Sequence, residues 1–306
     1  MDVPVEEYTI GWISALTIEA IAARMMFDQK NRGPTRRIPD DKNSYVCGRM
    51  GEHHVVITIL PEAGGVAAGQ AATNLTRTFP SIRYIFMVGI GGGIPRPKYD
   101  IQLGDIVVSV PTDECSGVRQ IDIGKEEEDG FKLKGTLNQP HVTLLGAIKY
   151  LQVLHAMSEG HVHSLVQHPR NVPPRLRAQF AYQGPEAGSG CSRPPGGCEE
   201  CDTNQTRPDP EIHYGIIASG SKVIKSASVR DRIGETFDAC CVEMEAYGLM
   251  NYFPCLVIRG ISDFADGQKN DNWQGYASLT AAAYAKDLLL SMPAEQVQYS
   301  PALAKS

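Results

Sequence analysis

The chain has 306 residues, 42% of them apolar and 21% charged, with a net charge of -6 and a pI near 5.8. That length suits one large α/β domain or two small ones. The acidic balance, with no dense Lys/Arg stripe, excludes a general nucleic-acid surface. No run reaches the roughly 18 uninterrupted apolar residues of a membrane span. The acidic N-terminus "MDVPVEEYTIGW" lacks the basic region of a secretory signal, so a cytoplasmic protein is expected.

The first element is the strand "YTIGWISAL" (8–16), rich in β-branched and aromatic residues. Residues 17–28 then switch to helical spacing, with Ile18, Ile21, Ala22 and Met25 forming an apolar stripe. Residues 44–60 read as a hairpin turning at Gly51-Glu52, and 64–79 as an Ala-rich helix. "IRYIFMVGI" (82–90) is an unbroken apolar strand of the kind covered on both faces. A strand at 104–110 and a helix at 140–157 follow. The His-rich stretch 159–168 reads as solvated surface.

Between residues 184 and 210 there is no Val, Ile, Leu, Met, Phe, Trp or Tyr, but five prolines and five glycines. Such a segment contributes no core and reads as a long loop or disordered insert. Its "CEEC" (198–201), with Cys191 upstream, is a weak metal signal, because Cys198 and Cys201 are followed by no second spaced pair. No metal or other cofactor is expected. Order resumes with a strand at 212–220, a helix near 226–236, the strand "ACCVEME" and a short helix. A strand at 255–262 and a helix at 276–292 close the domain, leaving 293–306 as a tail. Cys240, Cys241 and Cys255 sit in apolar runs as small buried hydrophobes. Strands alternating with helices point to a single three-layer α/β/α domain over 1–306 with a largely buried mixed central sheet.

Three features carry chemistry. "VGIGGGIP" (88–95) places Gly89, Ile90, Gly91 and Gly92 after a buried strand, where bare backbone can approach a ligand. Pro95 and Pro97 block the helix that a dinucleotide fingerprint needs, so the segment is a pocket wall or a tight structural turn. "IRGISDFAD" (258–266) ends a buried strand in Arg259, Ser262 and Asp263, at the edge where open α/β sheets bind ligands; a capping role is the plainer reading. Glu19 lies in the first turn of the helix after strand one, and taken alone is a charge well placed near a helix N-terminus. The stretch "CCVEMEAY" puts two carboxylates, Glu243 and Glu245, in an apolar segment, where each is costly unless paired.

In this order, "IGWISAL" with Glu19, "VGIGGG", "IASGSKVIK", "VEMEA" and "VIRGISDFAD" resemble the nucleoside phosphorylase and nucleosidase superfamily. This group comprises the purine and uridine phosphorylases and the methylthioadenosine nucleosidases. The resemblance covers roughly 8–158 and 212–292, and "KNDNWQGYASLTAAAYAKDLL" looks like the fungal branch. There the domain often heads multidomain proteins with NACHT, ankyrin or tetratricopeptide modules, none of which is expected in this chain. The resemblance implies cleavage of an N-ribosidic bond with Asp263 protonating the purine, helped by Ser262. A carboxyl with an ordinary pKa of about 4 is ionised at neutral pH, so that role calls for surroundings that keep a proton on it. By the same resemblance Met244 packs on the ribose, Glu245 accepts from its hydroxyls, Glu243 supports that end, and Val223 and Ile224 line the base. On an extended chain Glu243 and Glu245 share a face and Met244 points away. If Met244 and Glu245 both reach the sugar, the chain must leave strand geometry there.

Phosphorylases of this family flank the glycines with an Arg and a Ser in an R-V-G-S pattern, and this chain reads Met87-Val88-Gly89-Ile90. Their early G-D-P-x-R loop is replaced by "SALTIEA". That stretch is similar to the nucleosidases, whose last glutamate in A-M-E-E-E aligns with Glu19 and activates water, with Arg259 beside it. The expected activity is therefore a purine nucleosidase acting on adenosine, inosine or guanosine. A phosphate-dependent phosphorylase, an ATP- or AMP-cleaving effector and a non-catalytic nucleoside sensor are the alternatives. Arg36, Arg37, Arg96 and Lys98 are loop cations that either meet a 5′-phosphate or are simply solvated. The partners expected are a small purine nucleoside, water and a second copy of the chain, with a homodimer favoured.

Overall fold

The computed structural model describes residues 2–34, 38–128, 130–169, 172–184, 209–267 and 271–305. At the centre is β1 (Ile10–Ser14), buried at every position and apolar up to Ser14, as befits a strand covered on both faces. It runs parallel to β4 (His53–Ile59) on one side and β5 (Tyr84–Gly93) on the other. β3 (Tyr45–Met50) forms the expected hairpin with β4, and Gly51 supplies the left-handed turn residue at φ 56°. β2 (Gln29–Lys30) adds the edge.

Beyond β5 the sheet curls. β12 (Leu256–Asp263) is parallel to β5, and β6 (Ile106–Ser109) is antiparallel to β12. β10 (Ile212–Ser219) is parallel to β6 and to β11 (Ala239–Glu243), which returns to pair antiparallel with Gly92 and Gly93 of β5. β5, β12, β6, β10 and β11 thus form a closed ring. β7 (Val118–Gln120) extends along β10, and β8 (Gly124–Glu127) pairs with β9 (Gly130–Leu133) in a separate hairpin.

Helices complete the three-layer α/β/α arrangement. α1 (Thr17–Met25) follows β1, α2 (Gly65–Thr78) links β4 to β5, and α6 (Ala227–Phe237) links β10 to β11. α3 (Val142–Ala156), α4 (Val162–Gln167) and α5 (Arg177–Phe180) precede the segment outside the described residues. α7 (Gln274–Leu290) is buried along almost its whole length, and its alanines let it lie close on β12. A Cβ on Gly260 would sit 1.8 Å from the Ala277 carbonyl oxygen. Among the described residues no helix is long and apolar enough to cross a membrane.

The structure differs from the sequence reading at three places. The glycines of "VGIGGG" do not form a loop: they continue β5, because β12 and β11 pair with them on either side. Residues 293–305 pack against the domain where a tail was expected: α8 (Ala294–Tyr299) buries Val297, and Leu303 donates its amide to the Ile82 carbonyl at 2.9 Å. The stretch 159–168 is not simply solvated, since α4 buries Val162 and Val166 and His161 reaches the buried Asp287. The candidate ligands Cys191, Cys198 and Cys201 lie outside the described residues.

Candidate active site

The chain ends of β1, β5, β11 and β12 converge on one cavity of about 250 Å³. Glu19, Ile90, Gly91, Gly92, Val223, Ile224, Glu243, Met244, Glu245, Ser262 and Asp263 all line it. Residues separated by more than two hundred positions in sequence therefore share one wall. Gly89 and Arg259 sit behind that surface. A Cβ on Gly89 would lie 2.3 Å from Glu19 Oε1 and 2.8 Å from Arg259 Nη1, so only glycine lets these two groups approach.

Glu19 is 3% exposed, on the first turn of α1. Its Oε2 accepts the amides of Ala15 and Leu16 at 2.7 and 2.9 Å, and its Oε1 accepts the Ile90 amide at 2.9 Å. Burial pushes its pKa above the ordinary carboxyl value, outweighing Arg259 and these three amides, all of which favour the ionised form. The result is a carboxylate fixed in direction yet more basic than a solvated one.

Arg259, 1% exposed, is the cation around which the acids gather. Its Nη2 donates to Glu243 and to Glu245 Oε2, the latter at 3.2 Å, and its Nη1 donates to the Ile90 carbonyl at 3.3 Å. Burial alone would lower the Arg259 pKa; Glu243, Glu245 and Glu19 reverse that and raise it. Glu243 also accepts the amides of Glu245 and Ala246 at 3.1 and 3.0 Å, so it caps the turn that follows β11. That turn takes Glu245 out of strand geometry, to φ -116° and ψ -39°. Hence Met244 and Glu245 both reach the cavity, against simple strand alternation. Glu245 Oε1 accepts the Gly64 amide at 3.2 Å. Burial, reinforced by Glu243 and Glu19 and opposed by Arg259, carries its pKa to about 7.

Asp263, which also lines the cavity, ends β12. Its Oδ1 accepts the Ala265 amide at 2.9 Å and its Oδ2 accepts the Ser262 hydroxyl at 3.1 Å. Val223 and Ile224 line the cavity from the loop after β10. Lys222, unremarked in the sequence, lines the cavity beside them. Its signal was its place in "GSKVIK", one residue before the base-lining pair.

The loop cations behave differently from a phosphate clamp. Arg96 donates to the Gly234 and Ala239 carbonyls and pairs with Asp238 at 3.0 Å, and Lys98 pairs with the same carboxylate at 2.5 Å. Neither lines the cavity, and Arg36 and Arg37 lie outside the described residues.

Residues 18–291 match the family model described as the phosphorylase superfamily. The chain belongs to the phosphorylase superfamily. A nucleotide-binding leucine-rich repeat-like protein of Hyaloscypha variabilis is 42% identical over 93% of this chain, which spans only 29% of that relative's length. An ATP nucleosidase of Escherichia coli is 40% identical over 26% of the chain, and 17% of its own length is covered. The 5′-methylthioadenosine/S-adenosylhomocysteine nucleosidase of Mycobacterium bovis is 24% identical over 93% of the chain and 97% of its own length. Among solved structures, the futalosine hydrolase of Helicobacter pylori superposes with a TM-score of 0.62 at 18% identity, covering 94% of this chain and 99% of that one. These relatives place the phosphorylase-superfamily fold, and the Hyaloscypha relative fits the fungal branch.

Proposed function

We propose that this chain is a purine nucleosidase, hydrolysing the N-ribosidic bond of adenosine, inosine or guanosine to free base and ribose. The observation that carries the proposal is the convergence of these side chains on one cavity. A three-amide cradle fixes Glu19 in its wall, and Asp263, Met244 and Glu245 line the same space. In this reading the oxygen of a water attacks C1′ while the bond from C1′ to the purine nitrogen breaks. Glu19 takes the water's proton, Asp263 gives its proton to the departing base, and solvent resets both. Glu245 accepts from the ribose hydroxyls while Glu243, spent on Arg259 and the turn, holds Glu245 in place.

Water is favoured over phosphate by charge. Arg259 is already committed to two carboxylates, and Glu19 lies against it. A phosphate dianion there would face three acids, and the two Nη atoms of Arg259 already donate to Glu243, Glu245 and the Ile90 carbonyl, whereas phosphate sites rely on free guanidinium donors. Met87, Val88 and Ile90 add no side-chain donors. The test is to incubate the protein with each nucleoside, with and without phosphate. Free ribose formed at equal rates in both supports hydrolysis. Ribose 1-phosphate formed only with phosphate overturns it, and binding without turnover identifies a sensor.

An ATP- or AMP-cleaving role is the second reading, favoured by the likeness to the Escherichia coli ATP nucleosidase and by Lys222 at the cavity; preference for nucleotide over nucleoside in the same assay would establish it. A homodimer is proposed through the apolar groove beside the cavity, where Val66 and Tyr252 are each 82% exposed. Light scattering at working concentration tests it.

A further inference from the structure

Arg230 is a fully buried guanidinium that no step above uses. It sits in the first turn of α6, four residues past the N-cap Ser226, just after the loop that carries Lys222, Val223 and Ile224. A buried arginine is costly unless its donors are spent, and here they are. Nε donates to Asp231 Oδ1 at 2.8 Å, and Nη1 donates to the Phe264 carbonyl at 3.0 Å, with Asp266 Oδ2 at 3.8 Å from the same nitrogen.

The Phe264 carbonyl and the Ala265 amide belong to one peptide unit. Its carbonyl faces Arg230, and its N–H donates to Asp263 Oδ1 at 2.9 Å. No peptide bond here is cis, so the two groups point in opposite directions across a rigid plane. Ala265 is held at φ 50°, a left-handed conformation unfavourable for an L-residue with a side chain. A Cβ on Gly92 would come within 2.8 Å of the Ala265 Cβ, so the glycine is what leaves room for that turn. The peptide is therefore gripped at both ends in a conformation it would not choose alone.

We propose that Arg230 is a positioning residue for Asp263, acting through the Phe264–Ala265 peptide to fix Oδ1 against the Ala265 amide and so hold the carboxyl in the orientation from which it protonates the base. The inference rests on the assignment of Asp263 as the acid. Arg230 also ties the two walls of the base slot together, because the helix that bears it grows out of the Val223–Ile224 loop.

The experiment compares two substrates in the full chain: a purine nucleoside, whose base must be protonated to leave, and 4-nitrophenyl riboside, whose phenolate leaves without a proton. Arg230→Met should lower kcat on the nucleoside by about 100-fold, the scale of a misplaced reacting group, with KM nearly unchanged. On the nitrophenyl riboside kcat should hardly move. Combined with Asp263→Asn, Arg230→Met should add almost no further loss, since both act through one carboxyl. Equal slowing of both substrates, or full additivity with Asp263→Asn, overturns the positioning role. If Asp263→Asn itself slows both substrates equally, the acid assignment fails instead, and the two failures are distinguishable. Should Arg230→Met not fold, Arg230→Lys retains the buried charge but not the fork, and must show the same contrast between substrates in weaker form.

Discussion

Two of the places where this molecule buries carboxylates solve the problem in opposite ways. In the cavity, Glu19, Glu243 and Glu245 share one arginine. On α7, Asp287 is 1% exposed and receives His155 Nε2 at 2.8 Å, the His161 amide at 2.8 Å and His161 Nδ1 at 2.9 Å. Burial pushes Asp287 up too, but those three bonds outweigh it and hold its carboxyl below the ordinary value. Burial outweighs the compensating contacts at Glu19 and Glu245, and both are raised. A buried acid is therefore not in itself the mark of a site. Under-compensation, with an open face, is what separates the reactive cluster from the structural one.

The sharpest way to break this contrast is to neutralise one acid from each place. Glu19→Gln should lower kcat by about 1000-fold, within the range of a general base, while Asp287→Asn should leave kcat unchanged; steady-state kinetics on the preferred nucleoside decide. If Asp287→Asn were the more damaging to turnover, the comparison would be wrong. Next in size, Glu245→Gln should raise KM about tenfold with a smaller effect on kcat, as loss of a charged hydrogen bond to bound ribose would.

The pH dependence of stability should carry opposite signs. For Glu245 the folded state holds its proton up to about pH 7 against an ordinary 4.5. Its contribution is fully present below the ordinary value and lost as pH rises through about 7, by roughly 3 kcal/mol at most. Asp287 contributes above its ordinary 3.8 and loses that contribution as pH falls through its lowered folded value. Urea melts at pH 5 and pH 8 should show the wild type weaker at pH 8, and Glu245→Gln should flatten that difference. The smallest effect is on Asp287→Asn itself, expected to cost about 2 kcal/mol by calorimetry at neutral pH.

Much of this was legible in the sequence. The unbroken apolar run at 84–88 read as a strand covered on both faces, and β-hairpin chemistry at Gly51 marked β3 and β4. Glu19, the glycines, Arg259, Ser262 and Asp263 stood out because they sit at strand ends, whereas Met244, Val223 and Ile224 came from the family resemblance alone. The closure of the sheet was not legible, because antiparallel pairing of β11 with β5 is a long-range event that leaves no local pattern. That pairing is why the glycines are strand and not loop. The C-terminal helix α8 was missed because its burial rests on a single residue, Val297, in an otherwise polar stretch. Arg230 had a signal that went unread: it shares a helical face with Ile233, Gly234 and Phe237, and a charge on such a stripe must find internal partners.

Ile90 gives the reactive end of the cavity an unusual division of labour. Its amide donates to Glu19 and its carbonyl accepts from Arg259, so the main chain alone holds the acid and the cation in register. The side chain at this position is thereby released from structural duty. It can be exchanged without dismantling the electrostatics behind it, and whatever it becomes decides what the incoming nucleophile meets. Position 90 is thus a dial on an otherwise fixed instrument: one substitution could retune the choice of nucleophile while the scaffold that activates it stays untouched.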